Sequence, residues 1–204
     1  MNTKYLLMAA ALGVSFAAVA DEGQWQPHQM AQLQAELTAK GIDIPGKQLA
    51  DLSQYPMSAI VSLGYCSASF VSPNGLVITN HHCAYNAVQN NSTKDNNLIE
   101  KGFLAKTLAE ELPAGAQERL YITEAVTDVT AQVSGSLAPE LSGAARYEAI
   151  EANRKALIKN CEADPNYRCS VVSFHHGMQY FQIKQLMLQD VRLVYAPSEA
   201  IGNF

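Results

Sequence analysis

Residues 64–83 read GYCSASFVSPNGLVITNHHC, which is the most informative stretch of the chain. Short β-branched and aromatic runs lie on either side of Pro73-Asn74-Gly75, which is a turn signal between two strands. The pattern predicts a β-hairpin that ends in the step His81-His82-Cys83, with Cys66 placed to close the hairpin by a disulfide. A closed hairpin fixes an imidazole at the end of a rigid strand, which is what a general base requires.

Further strands and helices are predicted on both sides of this hairpin. Apolar and β-branched runs indicate strands within residues 59–78, 120–133 (interrupted near 127–128), 169–174, 180–183 and 190–195. Helical spacing indicates a helix from Pro27 to before Gly41, a turn at 84–89, a segment within 98–111 and a long helix at 141–159. This irregular alternation suits a closed antiparallel barrel with a helical insertion at about 138–160 better than a doubly wound parallel sheet. The predicted class is therefore mainly β with helical insertions.

The first twenty residues have the pattern of a secretory signal peptide. Lys4 is their only charged side chain, an apolar run follows over 5–18, and Ala18-Val19-Ala20 is a small-residue cleavage site. We expect cleavage after Ala20 and an exported mature chain, 21–204. No later stretch approaches the roughly 18 to 20 apolar residues of a spanning helix, so no membrane segment is expected. The net charge of −5 and the absence of a Lys/Arg cluster argue against a nucleic-acid partner.

Four cysteines in an exported chain favour disulfides over metal ligation. Three connectivities are open. The local one, Cys66 with Cys83 and Cys161 with Cys169, is preferred because each pair encloses a turn. The hairpin brings the first pair together, and the turn Asp164-Pro165-Asn166 does the same for the second.

Two histidine pairs raise the question of a metal site. His81-His82 is followed by Ala84-Tyr85-Asn86-Ala87, which offers no acidic ligand and so weakens a zinc interpretation. His175-His176 follows a predicted strand, and a four-histidine site would need both pairs to converge. Adjacent side chains on a strand point to opposite faces, so we favour exposed residues at the strand end. No metal and no cofactor is therefore expected.

A general base needs a nucleophile and an orienting carboxylate, and the chain offers weak candidates for both. Asp128, at a predicted strand end, is the best carboxylate, but a hydrogen bond within a turn is the favoured role for it. Ser67, Ser69 and Ser72 lie near the histidines in sequence, yet none has the Gly-x-Ser-x-Gly setting of an activated serine. A complete internal triad is not expected.

The histidine step and several further motifs resemble a known family. A histidine directly before a bridged cysteine, as in His82-Cys83, resembles the histidine end of a chymotrypsin-type barrel. The run Thr79-Asn80-His81-His82-Cys83 is the most specific segment of a closer likeness. The likeness continues in Gly102-Phe103-Leu104-Ala105, Glu110-Glu111-Leu112-Pro113, Thr127-Asp128-Val129-Thr130 and Asp190-Val191-Arg192-Leu193-Val194. With these motifs the mature chain resembles the bacterial dipeptidyl-peptidase 7 and 11 family of serine exopeptidases.

The resemblance implies both a fold and a role for the histidines. The fold would be part of a chymotrypsin-like double β-barrel, with an incomplete first barrel, and residues 21–204 would form the N-terminal part of the peptidase domain. His82 would be the catalytic general base, and His81 would support it. Members of the family are periplasmic or surface enzymes that remove dipeptides from peptide N-termini. They are expected to form homodimers and to need no metal or organic cofactor.

Length separates this chain from that family. Family members are several times longer. Their triad aspartate and the Asn-Trp pair that binds the substrate amino group shortly follow a Gly-Asn-Phe-like segment, which here is Gly202-Asn203-Phe204, and their serine nucleophile lies much further along the chain. By this resemblance the 204 residues alone are expected to be inactive. Two alternatives stay open: a non-catalytic periplasmic remnant or binding module on a peptidase scaffold, and a metal-binding protein that uses the histidine pairs. The pocket for the second substrate residue would lie in the distant part, so the resemblance implies no dipeptide preference.

Overall fold

The structure, a computed structural model, describes residues 25–202, so the expected signal peptide and its cleavage site lie outside the described residues. A 3₁₀ helix, Pro27–Leu33, runs directly into helix α1, Gln34–Ala39. Pro27 stands in the first turn, where its missing N–H removes no helical hydrogen bond. Gly41 adopts φ 77° just after the end of α1, a conformation that closes helices. The helix predicted between Pro27 and Gly41 is therefore confirmed.

Helix α2, Gly46–Ala50, packs against this first segment. The N–H of Gly46 donates to Oε1 of Gln34 at 2.6 Å. A Cβ at Gly46 would collide with the backbone of Met30, so only glycine allows this close approach. A short 3₁₀ turn, Met57–Ala59, then leads into the sheet.

Ten strands lie within residues 25–202 and form one large sheet and two small ones. In chain order they are β1 (Ile60–Ser62), β2 (Ser67–Phe70), β3 (Val77–Thr79), β4 (Phe103–Leu104), β5 (Leu112–Pro113), β6 (Leu120–Asp128), β7 (Tyr167–Phe174), β8 (Gln179–Leu188), β9 (Arg192–Leu193) and β10 (Tyr195–Ala196). The large sheet has the order β3-β2-β1-β6-β8-β7, while β10 pairs with β4 and β5 with β9. All these pairs are antiparallel, so the predicted class, mainly β with helices, is confirmed.

The large sheet is open within residues 25–202, as the expected incomplete first barrel implies. β3 and β7 are its two edges, and neither pairs with a further strand among residues 25–202. A closed barrel requires its two edge strands to pair with a defined shift in register, and the edge strand β3 has only three residues. The sheet is consistent with an incomplete barrel.

The predicted hairpin is confirmed as β2 and β3. Ser69 lies opposite Ile78, and Phe70 opposite Val77. At the turn, Val71 donates its N–H to the carbonyl of Leu76 at 2.9 Å, and Gly75 adopts φ 85°. The left-handed conformation at Gly75 is one that a side chain would strain, which explains the Asn-Gly turn signal.

Four further helices lie in the described part of the chain: α3 (His81–Asn90), α4 (Leu98–Lys101), α5 (Gly143–Cys161) and α6 (Glu199–Gly202). The helical segment predicted within 98–111 is present as α4 but is short, because Gly102 (φ 73°) ends it and the chain continues as β4 and β5, with a 3₁₀ turn, Leu108–Glu110, between them. The strand predicted up to residue 133 ends earlier, at Asp128. There Oδ1 of Asp128 accepts the N–H of Thr130 at 2.9 Å, and the chain enters a π-helical turn, Ala131–Gly135.

The long helix predicted at 141–159 is confirmed as α5. Its Ile150, Leu157 and Ile158 pack against a core cluster formed by Val129, Val133, Val171 and Tyr180. Arg154 of α5 donates to the carbonyl of Val171 at 2.7 Å, which ties the helix to β7. None of the helices that the structure describes is long and apolar enough to cross a membrane.

Candidate active site

The two histidines of the hairpin step lie in the first turn of α3, not at the end of a strand as the sequence suggested. Strand β3 ends at Thr79, and Asn80 is the N-cap of α3 with φ −70° and ψ 151°. The carbonyl of Asn80 accepts the N–H of Cys83 at 3.0 Å, which closes the first helical turn. His81 and His82 are therefore held by helix geometry rather than by the strand.

A disulfide holds this turn to the sheet. Cys66 and Cys83 are joined across a separation of 17 residues, with their Cα atoms 6.2 Å apart. The second bridge joins Cys161 at the end of α5 to Cys169 in β7, with a Cα–Cα distance of 6.1 Å. Both local pairings expected from the sequence are present, and the first connects the turn that carries His81 and His82 to the start of β2.

The packing of α3 decides which histidine meets solvent. Cys83, Ala87 and Val88 are buried on the inner face of the helix, where Ala87 and Val88 join a cluster with Leu98, Ala114, Leu193 and Ala196. His82 lies off that face, is exposed, and makes no hydrogen bond to any residue in 25–202. Its imidazole is thus free to meet a substrate or a residue supplied from elsewhere.

His81 has a different environment from its neighbour. Its ring is half-buried and meets the ring of Tyr85, one turn further along α3, edge-on at 6.5 Å between centroids. Its Nδ1 is buried and has no hydrogen-bond partner among the residues that the structure describes. His81 is therefore a packed ring, whereas His82 is an accessible one.

Tyr65 connects the loop before β2 to the same turn. Its hydroxyl lies 3.2 Å from the carbonyl oxygen of Cys83 and 3.0 Å from Oε2 of Glu118. Because a phenol carries one proton, the two acceptors share it. Burial, and then the neighbouring carboxylate of Glu118, raise the pKa of Tyr65 above its usual value of 10.0. The hydroxyl thus stays a donor across the neutral range.

Substituting Tyr65 with phenylalanine is expected to lower the free energy of unfolding by about 0.5–1 kcal/mol at pH 7, the worth of one partly exposed hydrogen bond. The pKa is raised in the folded state, so this stabilisation is complete below about pH 10 and is lost as the pH rises through the folded pKa. Denaturant unfolding at pH 7 and at an alkaline pH above the folded pKa of Tyr65 measures the difference. Tyr147→Phe, an exposed tyrosine on α5, is the control that should change nothing. An equal loss at both pH values would contradict the assignment.

The metal alternatives find little support in the geometry. Ligand atoms of Cys66, His82 and Cys83 lie within 4.8 Å of one another, but the two sulfurs are bonded to each other and offer no thiolate. His175 and His176 occupy a 3₁₀ turn between β7 and β8, are exposed, and have φ values of 49° and 56°. No metal-type cluster within residues 25–202 joins the two histidine pairs.

The internal triad candidates have local structural roles. The carboxylate of Asp128 is exposed, and its hydrogen bonds with Thr130 lower its pKa. Oγ of Ser72 accepts the N–H groups of Asn74 and Leu76 in the hairpin turn, and Ser69 donates to the carbonyl of Phe70. None of these groups forms a hydrogen bond with His81 or His82 in the described part of the chain.

Comparison with known proteins assigns the chain to a family. The family model described as Peptidase S46 matches residues 20–204, which is nearly the whole chain.

The chain belongs to the peptidase S46 family.

Curated S46 relatives extend the comparison. The chain is 58% identical over 198 residues to an Asp/Glu-specific dipeptidyl-peptidase of Shewanella putrefaciens, which covers 97% of this chain and 27% of the relative. It is 33% identical over 209 residues to dipeptidyl-peptidase 7 of Porphyromonas gingivalis, covering 100% of this chain and 29% of that protein. The chain thus spans between a quarter and a third of the length of these relatives.

Solved structures give the same picture for the fold. DPP11 of Porphyromonas endodontalis in complex with substrate superposes with a TM-score of 0.76 at 29% identity, over 90% of this chain and 28% of that one. The complex of the same protein with the dipeptide Arg-Asp gives a TM-score of 0.78 over 91% of this chain and 28% of that one, also at 29% identity. The open sheet is consistent with this partial coverage.

Sequence reasoning about this S46 chain missed two features of the site. Asn80, a favoured N-cap residue directly before His81, was a signal that a helix starts there. The contact of Tyr65 with Cys83 had no local signal, because the two residues are 18 positions apart and meet only through the fold.

Proposed function

We propose that residues 21–204 are the N-terminal part of the peptidase domain of a serine dipeptidyl-peptidase that releases dipeptides from peptide N-termini. The observation that carries the proposal is His82, an exposed and unpartnered imidazole in a turn held by the Cys66–Cys83 disulfide, in a chain of the S46 family. A rigidly mounted and accessible imidazole is what general-base catalysis requires.

In this mechanism His82 takes the proton of a serine hydroxyl as that serine attacks the second peptide bond. It then gives the proton to the leaving amine, and the dipeptide remains bound to the serine as an ester. His82 next takes a proton from a water molecule that attacks this ester, and it returns the proton to the serine oxygen as the dipeptide leaves. The serine and an orienting carboxylate would come from residues outside 25–202, because no serine and no carboxylate among the described residues forms a hydrogen bond with His82. The relatives' greater length supports this division. The 204 residues alone would accordingly release no dipeptide.

The proposed cellular location rests on residues 1–20 and on the two disulfides. A signal peptide over residues 1–20, cleaved after Ala20, would deliver the chain to the periplasm or the cell surface. Both disulfides suit an oxidising compartment. Partners would be peptide substrates and, in the complete enzyme, a second copy of the protein; no metal or organic cofactor is required by serine chemistry.

An acidic second residue in the substrate is proposed from similarity alone. Identity is 58% to a relative named Asp/Glu-specific and 33% to a relative named dipeptidyl-peptidase 7. No residue within 25–202 is assigned to the pocket that reads this side chain.

The test uses the complete gene product that contains these residues, with reporter amides of Xaa-Glu, Xaa-Asp and Xaa-Leu dipeptides. Dipeptide release from free N-termini, none from N-acetylated substrates, and a higher kcat/KM for the acidic pair are expected. A fluorophosphonate probe should label one serine, and a chelator should leave the rate unchanged. Absence of dipeptide release from all three substrates would reject the enzyme in favour of a binding module on a peptidase scaffold. A preference for Xaa-Leu would reject only the acidic specificity.

A further inference from the structure

The backbone of α6 lies directly against the ring of His81. A Cβ placed on Gly202 would stand 2.6 Å from Cγ and 2.7 Å from Cε1 of that ring, and closer still to Nδ1. Real Cβ atoms do not approach other heavy atoms this closely, so a side chain at position 202 would force the ring or the helix to move. The absence of a side chain at Gly202 is therefore a condition of this contact.

The His81 ring has little freedom to give way. It meets the Tyr85 ring in a T-shaped arrangement, and it also lies against Gly202. Its Nδ1, the atom nearest to a Cβ at Gly202, is fully buried and unpaired among the described residues. Rotation of the ring would break the contact with Tyr85. We therefore expect a methyl group added at position 202 to displace the first turn of α3.

A second glycine holds the segment that leads into α6. A Cβ at Gly102, which has φ 73°, would lie 2.8 Å from the carbonyl oxygen of Ala196 and 3.0 Å from the nitrogen of Ser198. Ser198 in turn accepts the N–H of Gly202 at 2.9 Å through its carbonyl. The position of α6 is thus set by close backbone contact at one end and by the His81 ring at the other.

We propose that Gly202 and His81 are positioning residues of the active site: the bare backbone of α6 against the His81 ring fixes the orientation of the turn that presents His82. The inference rests on the proposed role of His82 as the base. His81 and His82 are consecutive residues of one helical turn, so a displacement of the first ring reorients the second. Misplacement of a catalytic group by about 1 Å can cost on the order of 100-fold in rate.

The test is a double-mutant cycle in the complete gene product. Gly202→Ala is expected to lower kcat by about 10- to 100-fold with a smaller change in KM. His81→Ala, which removes the obstructing ring, should rescue Gly202→Ala, so that the double variant has the kcat of His81→Ala alone. Gly135→Ala is the matched control, because a Cβ there lies 3.6 Å from its nearest neighbour, in ordinary contact. Its kcat should equal that of the wild type.

Two results would overturn the proposal. One is a Gly202→Ala variant with wild-type kcat, and the other is a double variant whose loss equals the product of the two single losses. Histidine-labelled protein gives a readout independent of turnover: the His82 ring resonance, identified by its disappearance in His82→Ala, should shift in Gly202→Ala and return in the double variant. If the wild type releases no dipeptide, the proposed function is rejected. The positioning contact is rejected independently if the His82 resonance of Gly202→Ala does not shift from its wild-type position.

Discussion

Replacement of His82 by alanine is expected to abolish dipeptide release, with kcat/KM falling by about 10⁴-fold or more, as loss of a triad base does in other serine peptidases. His82 is the group proposed to accept the serine proton, so its replacement removes the base. Because the His82 side chain is exposed and forms no hydrogen bond within residues 25–202, the melting temperature should stay at the wild-type value. Steady-state kinetics and thermal melting of the complete gene product measure both quantities.

The His81→Ala variant is the control that tests whether the loss of activity is specific to His82. His81 is half-buried against Tyr85 and Gly202, so its removal should lower the rate less than the removal of His82 while lowering the melting temperature more. Small and equal losses of kcat/KM in the two variants would contradict the assignment of His82 as the base. A larger loss for His81 would exchange the two roles.

Removal of the Cys66–Cys83 disulfide is expected to lower the free energy of unfolding by about 3 kcal/mol, the chain-entropy value for a loop of this length. The Cys66→Ala/Cys83→Ala variant should also lose activity, because the bridge connects β2 to the turn that carries His82. Denaturant unfolding and dipeptide release, both under non-reducing conditions, measure the two effects.

The second disulfide supplies the matched control. Cys161 and Cys169 enclose a shorter loop, with a separation of 8 residues, and join α5 to β7. The Cys161→Ala/Cys169→Ala variant should lose about 2.5 kcal/mol of stability and keep its kcat. Full activity in the Cys66→Ala/Cys83→Ala variant, despite a measured loss of stability, would show that the base does not depend on the bridge.

Much of the fold could be predicted because the decisive signals are local. The Asn-Gly turn, the β-branched runs on either side of it and the helical spacing in α5 all act within a few residues. The failures are also local in cause: Gly102 in a left-handed conformation ended α4 early, and the Asp128–Thr130 hydrogen bond ended β6. In the first case a glycine with a positive φ ended the helix, and in the second a side-chain carboxylate accepted a backbone N–H just beyond the strand.

Closure of the barrel could not be predicted from the sequence, for a different reason. Whether a sheet closes depends on a meeting between its two edge strands, here β3 and β7, which lie at opposite ends of the strand order. The alternation of strands and helices along the chain predicts antiparallel pairing, but it does not predict which edge strands form hydrogen bonds with a further strand.

For the site, the amino-acid sequence supplies the chemistry: an imidazole next to a cysteine, a second cysteine able to form a disulfide with it, and a turn signal between the two cysteines. The tertiary structure decided how that chemistry is presented. Packing of Ala87 and Val88 into the core turned His82 outward, while His81 came to lie between Tyr85 and Gly202. Adjacent histidines are equivalent in a sequence pattern. They become different because the buried face of a helix is chosen by residues far away in the chain, and only the fold brings those residues together.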